Sequence, residues 1–420
     1  MTTTPRIEHD VVVVGAGLTG LVLALSLADA GAQVTVMDRG TGEPAADKTR
    51  TTTINAASHD WLDQLDVLDA LSRKGHRLTP VHRIRVSDDK TRPRPGLNVR
   101  DQLMEWQDDD APLAWVFRNR AMEEALLDTC RGHPNITIMT GMVVKDFTSN
   151  HPQGGNAAAA VYTEDGAIHS ARLVVAADGG GSPIRAAAGL RSLSRTPGQT
   201  AIVADVRTAL PHRNMAWQRF LDGGPSALMP LDDPHLMALV WTLRDDDAAS
   251  LLNASDHDFN SAMMDSFGDG FGALNVTGPR LNWVLKLNHV LKPAARRLVL
   301  AGDAAHSIHP LAGQGYNLAL GDARCLARLM TDALNHGTDP GAGAVVSAYA
   351  RERRLETAAM TMATDGLNAV FSFGGKNLVA ATGMAMTVLN ATPFNSLAMK
   401  LASGKMIGGK LIGGLFSRRG

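Results

Sequence analysis

The chain has only two cysteines in 420 residues, Cys130 and Cys325, too few for a disulfide framework. No close cysteine pair marks a zinc site, so both read as small buried side chains in a reducing compartment. An excess of one charge is also missing. Lys plus Arg is 41 and Asp plus Glu is 42, a net charge of -1, which argues against a general nucleic-acid binder. Met1 to Asp10 carries both charge signs and no apolar stretch, so it reads as neither a signal peptide nor a transit peptide, and the chain reads as cytoplasmic. There is no internal repeat. Ser182 lacks the Gly-x-Ser-x-Gly surroundings of a serine hydrolase elbow. What remains is an ordinary globular balance, 45% hydrophobic and 20% charged, long enough for two domains or one large two-lobed unit.

The charge is uneven along the chain. No carboxylate follows Asp365, whereas Lys376, Lys400, Lys405, Lys410, Arg418 and Arg419 give residues 366–420 a charge of +6. The uncharged stretch between Lys376 and Lys400 is long enough to cross a bilayer, but Asn377, Asn390, Pro393 and Asn395 make it a poor spanning helix. Three uses fit this tail: contact with a membrane surface, contact with a partner protein, or a helix packed on the body. Asp108 to Asp110 and Asp245 to Asp247 read as solvated loops, and Gly223 to Pro230 as a loop punctuated by Gly and Pro.

The first strand is Asp10 to Val14, a β-branched run suited to burial on both faces. Gly15-Ala-Gly-Leu-Thr-Gly20 follows, then a helical stretch from Leu21 to Ala30, Gly31 as its cap, and a second strand Gln33 to Met37 ending at Asp38. Strand, glycine turn, helix, strand and acid make a βαβ unit, with the acid 18 residues beyond Gly20. Gly15 permits the turn, Gly17 lets the backbone approach a pyrophosphate, and Gly20 lets helix and strand pack closely. The helix N-terminus offers free N–H groups to phosphates, and Asp38 would accept from a ribose. This motif alone does not choose between NAD and FAD.

Two more strands run into glycine-acid turns: Arg172 to Gly179, followed by Ser182 and Arg185, and Arg297 to Asp303. Strand-like runs occur at Ala201 to Val206 and Leu236 to Leu243, and a helix begins near Gly313. The third turn leads into His306 and His309-Pro-Leu-Ala-Gly-Gln-Gly-Tyr-Asn-Leu318, with Asp322 closing the run. The two histidines enter a Pro turn with no ligand group beside them, so they shape a cavity or pack rather than bind metal.

With these segments together, the chain resembles the class A flavoprotein aromatic monooxygenases, more narrowly the ubiquinone-biosynthesis hydroxylases. The resemblance runs over most of the chain, and the His-Pro-x-Ala-Gly-Gln-Gly-x-Asn-Leu run is its most specific part. It implies an α/β fold: a Rossmann-like FAD-binding domain, a smaller β-sheet substrate domain and a helical C-terminal tail. The FAD-binding parts would be 1–82, 105–189 and 291–345, interrupted by strands at 83–104 and a substrate sheet at 190–290, with the helical region at 346–420.

The cofactor implied is FAD, with NAD(P)H or another donor reducing it. Contacts to it are implied at Gly15, Gly17, Leu18, Thr19 and Gly20, at Asp38 and Arg39, and at Arg50, Asn119 and Arg120. Asp178 and Gly179 would orient the pyrophosphate region and help recruit NAD(P)H, with Arg185 orienting Asp178 or meeting a phosphate. Gly302 and Asp303 would hold the ribityl chain. Pro310, Gly313, Gln314 and Gly315 would position the reaction, with Pro310 a rigid wall and the following backbone N–H groups facing the flavin. Tyr316, where the family usually has an aliphatic residue, would lie near the flavin or substrate cavity, with Asn317 beside it. No residue stands out as a proton acceptor, and no metal is implied.

The implied reaction is aromatic hydroxylation with O2 through a peroxyflavin, on a hydrophobic polyprenylated phenol. The tail would then rest on the inner face of the membrane or meet other quinone-biosynthesis proteins. A hydroxylase of a small soluble aromatic compound and an idle flavoprotein subunit are the other readings.

Overall fold

The computed structural model describes residues 9–44, 46–88, 102–150, 158–310 and 314–368. The fold is α/β and Rossmann-like. Five parallel strands form its centre in the order Ile136–Met139, Val34–Met37, His9–Val14, Ile168–Ala176 and Leu298–Leu300. Val11 and Val13 point into one core cluster with Leu21, Leu25 and Met330, while Val12 and Val14 point into another with Met37 and Val174. Successive strand residues face opposite sides, so an unbroken valine run is what a doubly covered strand requires. Helix Leu18–Asp29 covers one face and packs beside Asn119–Gly132 and Gln314–Asn335. Segments far apart in sequence therefore build one sheet.

A seven-stranded sheet stands against this unit, in the order Leu274–Val284, Gln199–Thr208, Leu236–Arg244, Gly224–Pro230, Met215–Leu221, Arg83–Asp88 and Gln102–Gln107. Its outer face is closed by helices Asp245–Asn253 and Asp256–Phe267, with Trp241 edge-on to Phe259 and Phe267. Its other face, with Ala227, Met229 and Ala238, packs on Val81, Ala114 and Val116 of a small sheet formed by Thr51–Ile54, Ala114–Arg118 and Thr79–Val81. The bidentate pair of Arg118 with Asp205, both contacts 2.7 Å, crosses the same boundary. Ser192–Arg195, Leu287–Val290 and His306–Ser307 form a separate three-stranded sheet.

Two expectations are corrected here. Gly224–Pro230 is a buried strand in the middle of the seven-stranded sheet, not a loop. Its prolines sit near the two ends and the interior is Ser-Ala-Leu-Met, so the ladder keeps its central donors. Asp245, Asp246 and Asp247 form the first turn of a helix, where the positive end of the helix dipole favours carboxylates. Asp108 to Asp110 does form a loop, with Asp108 Oδ1 accepting from the backbone of Asp110 and Ala111. Helix Gly343–Asn368 ends the described chain, so the tail expectations on 369–420 lie outside the described residues. Among the described residues no helix is long and apolar enough to cross a membrane.

Candidate active site

The first strand stops at a turn that has no room for side chains. A Cβ on Gly15, whose φ is +106°, would lie 2.5 Å from the Ala177 carbonyl oxygen, and one on Gly20 would lie 1.8 Å from the Gly15 carbonyl oxygen. Gly17 differs, because a Cβ there would meet nothing within 4 Å. It is the N-cap of helix Leu18–Asp29 and makes no side-chain cap bond. The first-turn N–H groups of a helix, here from Leu18 and Thr19 onward, have no intrahelical partner, so this open end fits a phosphate-bearing ligand. Asp38 closes the turn from the second strand: Oδ2 accepts from Ala16 N–H at 2.8 Å and Oδ1 from Gly40 N–H at 2.6 Å. Arg39 is exposed beside it.

The second turn follows Ile168–Ala176. Asp178 Oδ1 is buried without a hydrogen-bond partner among the described residues. Burial pushes its pKa up, against the Ser182 hydrogen bond and the Arg185 charge. Arg185 also reaches across to the third turn. Its guanidinium donates to the Ala304 carbonyl at 2.8 Å and the Gly180 carbonyl at 2.6 Å, so it bolts the second turn to the third. Carbonyl acceptors on both turns take one donor from each of its two terminal nitrogens, while its charge also acts on Asp178.

The third turn, Gly302–Ala304, opens on a cleft of about 530 Å³ whose walls include Arg50, Trp283, Asp303, Ser307 and Pro310. The Arg50 guanidinium lies over the Trp283 ring at 4.9 Å, a cation–π contact. Asp303 is reachable by solvent from the cleft but walled by protein elsewhere. That surrounding protein raises its pKa, while His306, the Ser307 hydrogen bond and Arg50 pull it down. Behind the turn, Asp322 is 1% exposed and accepts from Gly302 N–H at 2.9 Å, His306 Nε2 at 2.7 Å and Arg353 Nε at 2.6 Å. Burial alone would raise the Asp322 pKa, but His306 and Arg353 outweigh it and hold the carboxyl below the usual range.

His309 donates to Gln199 Oε1 at 3.0 Å, so the two histidines of the motif go to different partners. Gly313 lies outside the described residues; Gln314 and Gly315 open helix Gln314–Asn335. Tyr316 packs edge-on to Phe117, ring centroids 6.0 Å apart, against the main core, and burial drives its phenol pKa up. That ring serves a helix–strand contact. Asn317 accepts from Asn55 N–H at 2.9 Å and donates to the Thr53 carbonyl at 3.1 Å, clamping the strand that follows Arg50. Asn119 N–H donates to the Arg50 carbonyl, and Asn119 Oδ1 is buried without a partner among the described residues. Arg120 pairs with Glu124 at 2.9 Å on its own helix.

The residues missed by sequence reasoning are Gln199, Arg118 with Asp205, and the roles of Asp322 and Arg353. Asp322 stood inside the motif, but nothing in Arg351, Arg353 and Arg354 marks which arginine turns inward.

Residues 8–364 match the family model described as FAD binding domain. Among curated proteins, the chain is 34% identical over 366 residues to ubiquinone hydroxylase UbiL of Rhodospirillum rubrum, covering 86% of this chain and 82% of that one. It is 26% identical over 455 residues to the mitochondrial ubiquinone biosynthesis monooxygenase COQ6 of Xenopus tropicalis, covering 96% and 95%. Among solved structures, p-nitrophenol 4-monooxygenase PnpA of Pseudomonas putida superposes with a TM-score of 0.74 at 18% identity, covering 96% of this chain and 98% of that one. Klebsiella pneumoniae HpxO complexed with FAD and uric acid gives 0.71 at 16% identity, covering 97% and 100%.

Proposed function

We propose, from the premise that the chain belongs to the FAD binding domain family and is an FAD-dependent aromatic-ring monooxygenase, that it hydroxylates a polyprenylated phenol in ubiquinone biosynthesis. The observation that carries this reading is one cleft, between the parallel sheet and the seven-stranded sheet, on which Arg50, Asp303 and Pro310 converge. The lining of the cleft includes Val284, Leu285, Leu287 and Ile308, which supports a hydrophobic substrate, and the names of the two curated relatives point the same way.

The residues present fit FAD. The open helix end at Gly17 would take the pyrophosphate, Asp38 the adenosine ribose and Asp303 the ribityl hydroxyls. Pro310, Gln314 and Gly315 would flank the ring, with Gly313 between them in sequence. FAD when bound supplies the oxygen chemistry, with NAD(P)H as the proposed electron donor. The protein's own part is placement and exclusion of water. Pro310 offers a wall with no N–H, and the start of helix Gln314–Asn335 would present its first-turn donors and the positive end of its dipole to developing negative charge.

The test is quinone analysis in a bacterial strain lacking its own ring hydroxylase. The chain should restore ubiquinone and remove the accumulated precursor. Asp303→Ala should not, and should bind FAD roughly tenfold or more weakly through loss of charged hydrogen bonds. An FAD-loaded chain that leaves the precursor untouched would overturn the substrate and favour a small soluble aromatic compound.

The membrane reading of the tail belongs to the same proposal, since a polyprenylated phenol dissolves in the bilayer. Full-length protein should float with anionic liposomes at low salt and less at high salt. A chain ending at Ser396, without five of the six basic residues beyond Asp365, should float far less. Equal, negligible flotation of both would remove the membrane role.

A further inference from the structure

Within the third motif, Ile308 and Pro310 line the cleft, whereas His309 between them is 0% exposed. Its Nε2 lies 3.0 Å from Oε1 of Gln199, which is also 0% exposed. The amide is oriented by its other end. Nε2 of Gln199 is 2.5 Å from the Gly223 carbonyl, which only accepts, so the atom facing His309 is the oxygen. His309 must therefore carry its proton on Nε2. Burial pushes its pKa down to about 4, so the ring is a neutral donor of fixed tautomer. Asn368 Nδ2, 2% exposed and on the last turn of the C-terminal helix, approaches the same oxygen at 3.4 Å.

One buried amide thus joins the cleft-lining loop, the seven-stranded sheet and the end of helix Gly343–Asn368. Its anchorage is firm, because Gln199 is strand-paired with Arg244 and its carbonyl accepts from Leu285 N–H. Among the described residues, this bond is the hydrogen bond that ties the segment from Ile308 to Pro310 to the seven-stranded sheet. We propose that Gln199 is a positioning residue for the hydroxylation: through His309 it sets the Pro310 wall of the cleft against the sheet that covers the substrate. The assay, though not the geometry, rests on the proposed phenol substrate.

Leucine and glutamic acid at position 199 separate hydrogen bonding from packing. Gln199→Leu keeps size but leaves His309 and the Gly223 carbonyl buried and unpaired. Gln199→Glu, in its acid form, keeps an acceptor for His309 and a donor for Gly223. If Gln199 positions the wall, the leucine variant folds and retains FAD, but forms hydroxylated product roughly tenfold to a hundredfold more slowly, with kcat rather than KM affected. Its bound flavin should show a changed visible circular dichroism band. The glutamate variant should recover most of the product and the wild-type band. Asn368→Ala, at the periphery of the node, should show a smaller loss of the same kind.

A leucine variant with wild-type kcat and flavin band, or a glutamate variant worse than the leucine one, would overturn the proposal. If wild-type protein with bound FAD makes no product from the phenol, the substrate reading fails instead. The flavin band of the variants then still decides the role of Gln199.

Discussion

Asp322→Asn should leave little folded protein that retains FAD. The carboxylate is 1% exposed and faces Arg353, itself 4% exposed on its side chain, and His306 at 3%. Removing its charge leaves the buried Arg353 guanidinium with the part-exposed Glu356 and the Leu318 carbonyl as its remaining partners, and breaking a buried pair costs about 3–5 kcal/mol. A whole domain is stable by only about 5–15 kcal/mol, so the loss is large on that scale. Thermal unfolding of apo and FAD-loaded protein measures it, and a variant within about 1 kcal/mol of wild type would show that the network is not needed.

The double variant Asp322→Leu with Arg353→Met separates stability from function. Apolar replacement of a buried pair is often tolerated, so the fold should recover. FAD binding should stay weak, because Gly302 N–H and His306, on either side of Asp303, still lack their acceptor. The pH dependence has a definite sign. A carboxyl held below its unfolded value of about 3.9 contributes stability that is present above that pH and lost as pH falls through the folded value. This group should therefore leave stability flat near neutrality and weaken it only in acid.

Gly20→Ala and Gly17→Ala should diverge sharply. An alanine Cβ at position 20 would sit 1.8 Å from one backbone atom of Gly15 and 2.8 Å from another, and backbone cannot swing aside as a side-chain tip can. The turn must open, at a cost of about 1–3 kcal/mol or more by analogy with overpacked cores, and the helix leaves the strand end. At position 17, φ is −75° and the added methyl meets nothing within 4 Å. Apo Gly17→Ala should therefore keep its unfolding temperature and still lose FAD affinity, because only a bound pyrophosphate would collide with the methyl. Titration with FAD beside thermal unfolding checks both variants. Wild-type FAD affinity in folded Gly17→Ala would move the pyrophosphate away from this turn.

Glycines were legible because steric demand is local. The closest backbone approach to Gly20 comes from a residue five positions earlier, so spacing alone carries the information. The valine run was legible because burial of Val11 to Val14 on both faces leaves no alternation to mimic a half-exposed strand. Gly224–Pro230 was misread because its end residues resemble a turn. Only pairing with Met215–Leu221 and Leu236–Arg244 makes it a strand.

The sequence by itself determined the βαβ unit, the three glycine-acid turns and the family resemblance, since each rests on neighbours in the chain. The tertiary structure decided which polar groups meet. His309 reaches Gln199 across 110 residues, Arg118 reaches Asp205 across 87, and Arg353 reaches Asp322 from a separate helix. Such pairs leave no period and no spacing in a single sequence, because a buried donor needs only an acceptor of the right geometry, and any distant segment the fold brings alongside can supply it.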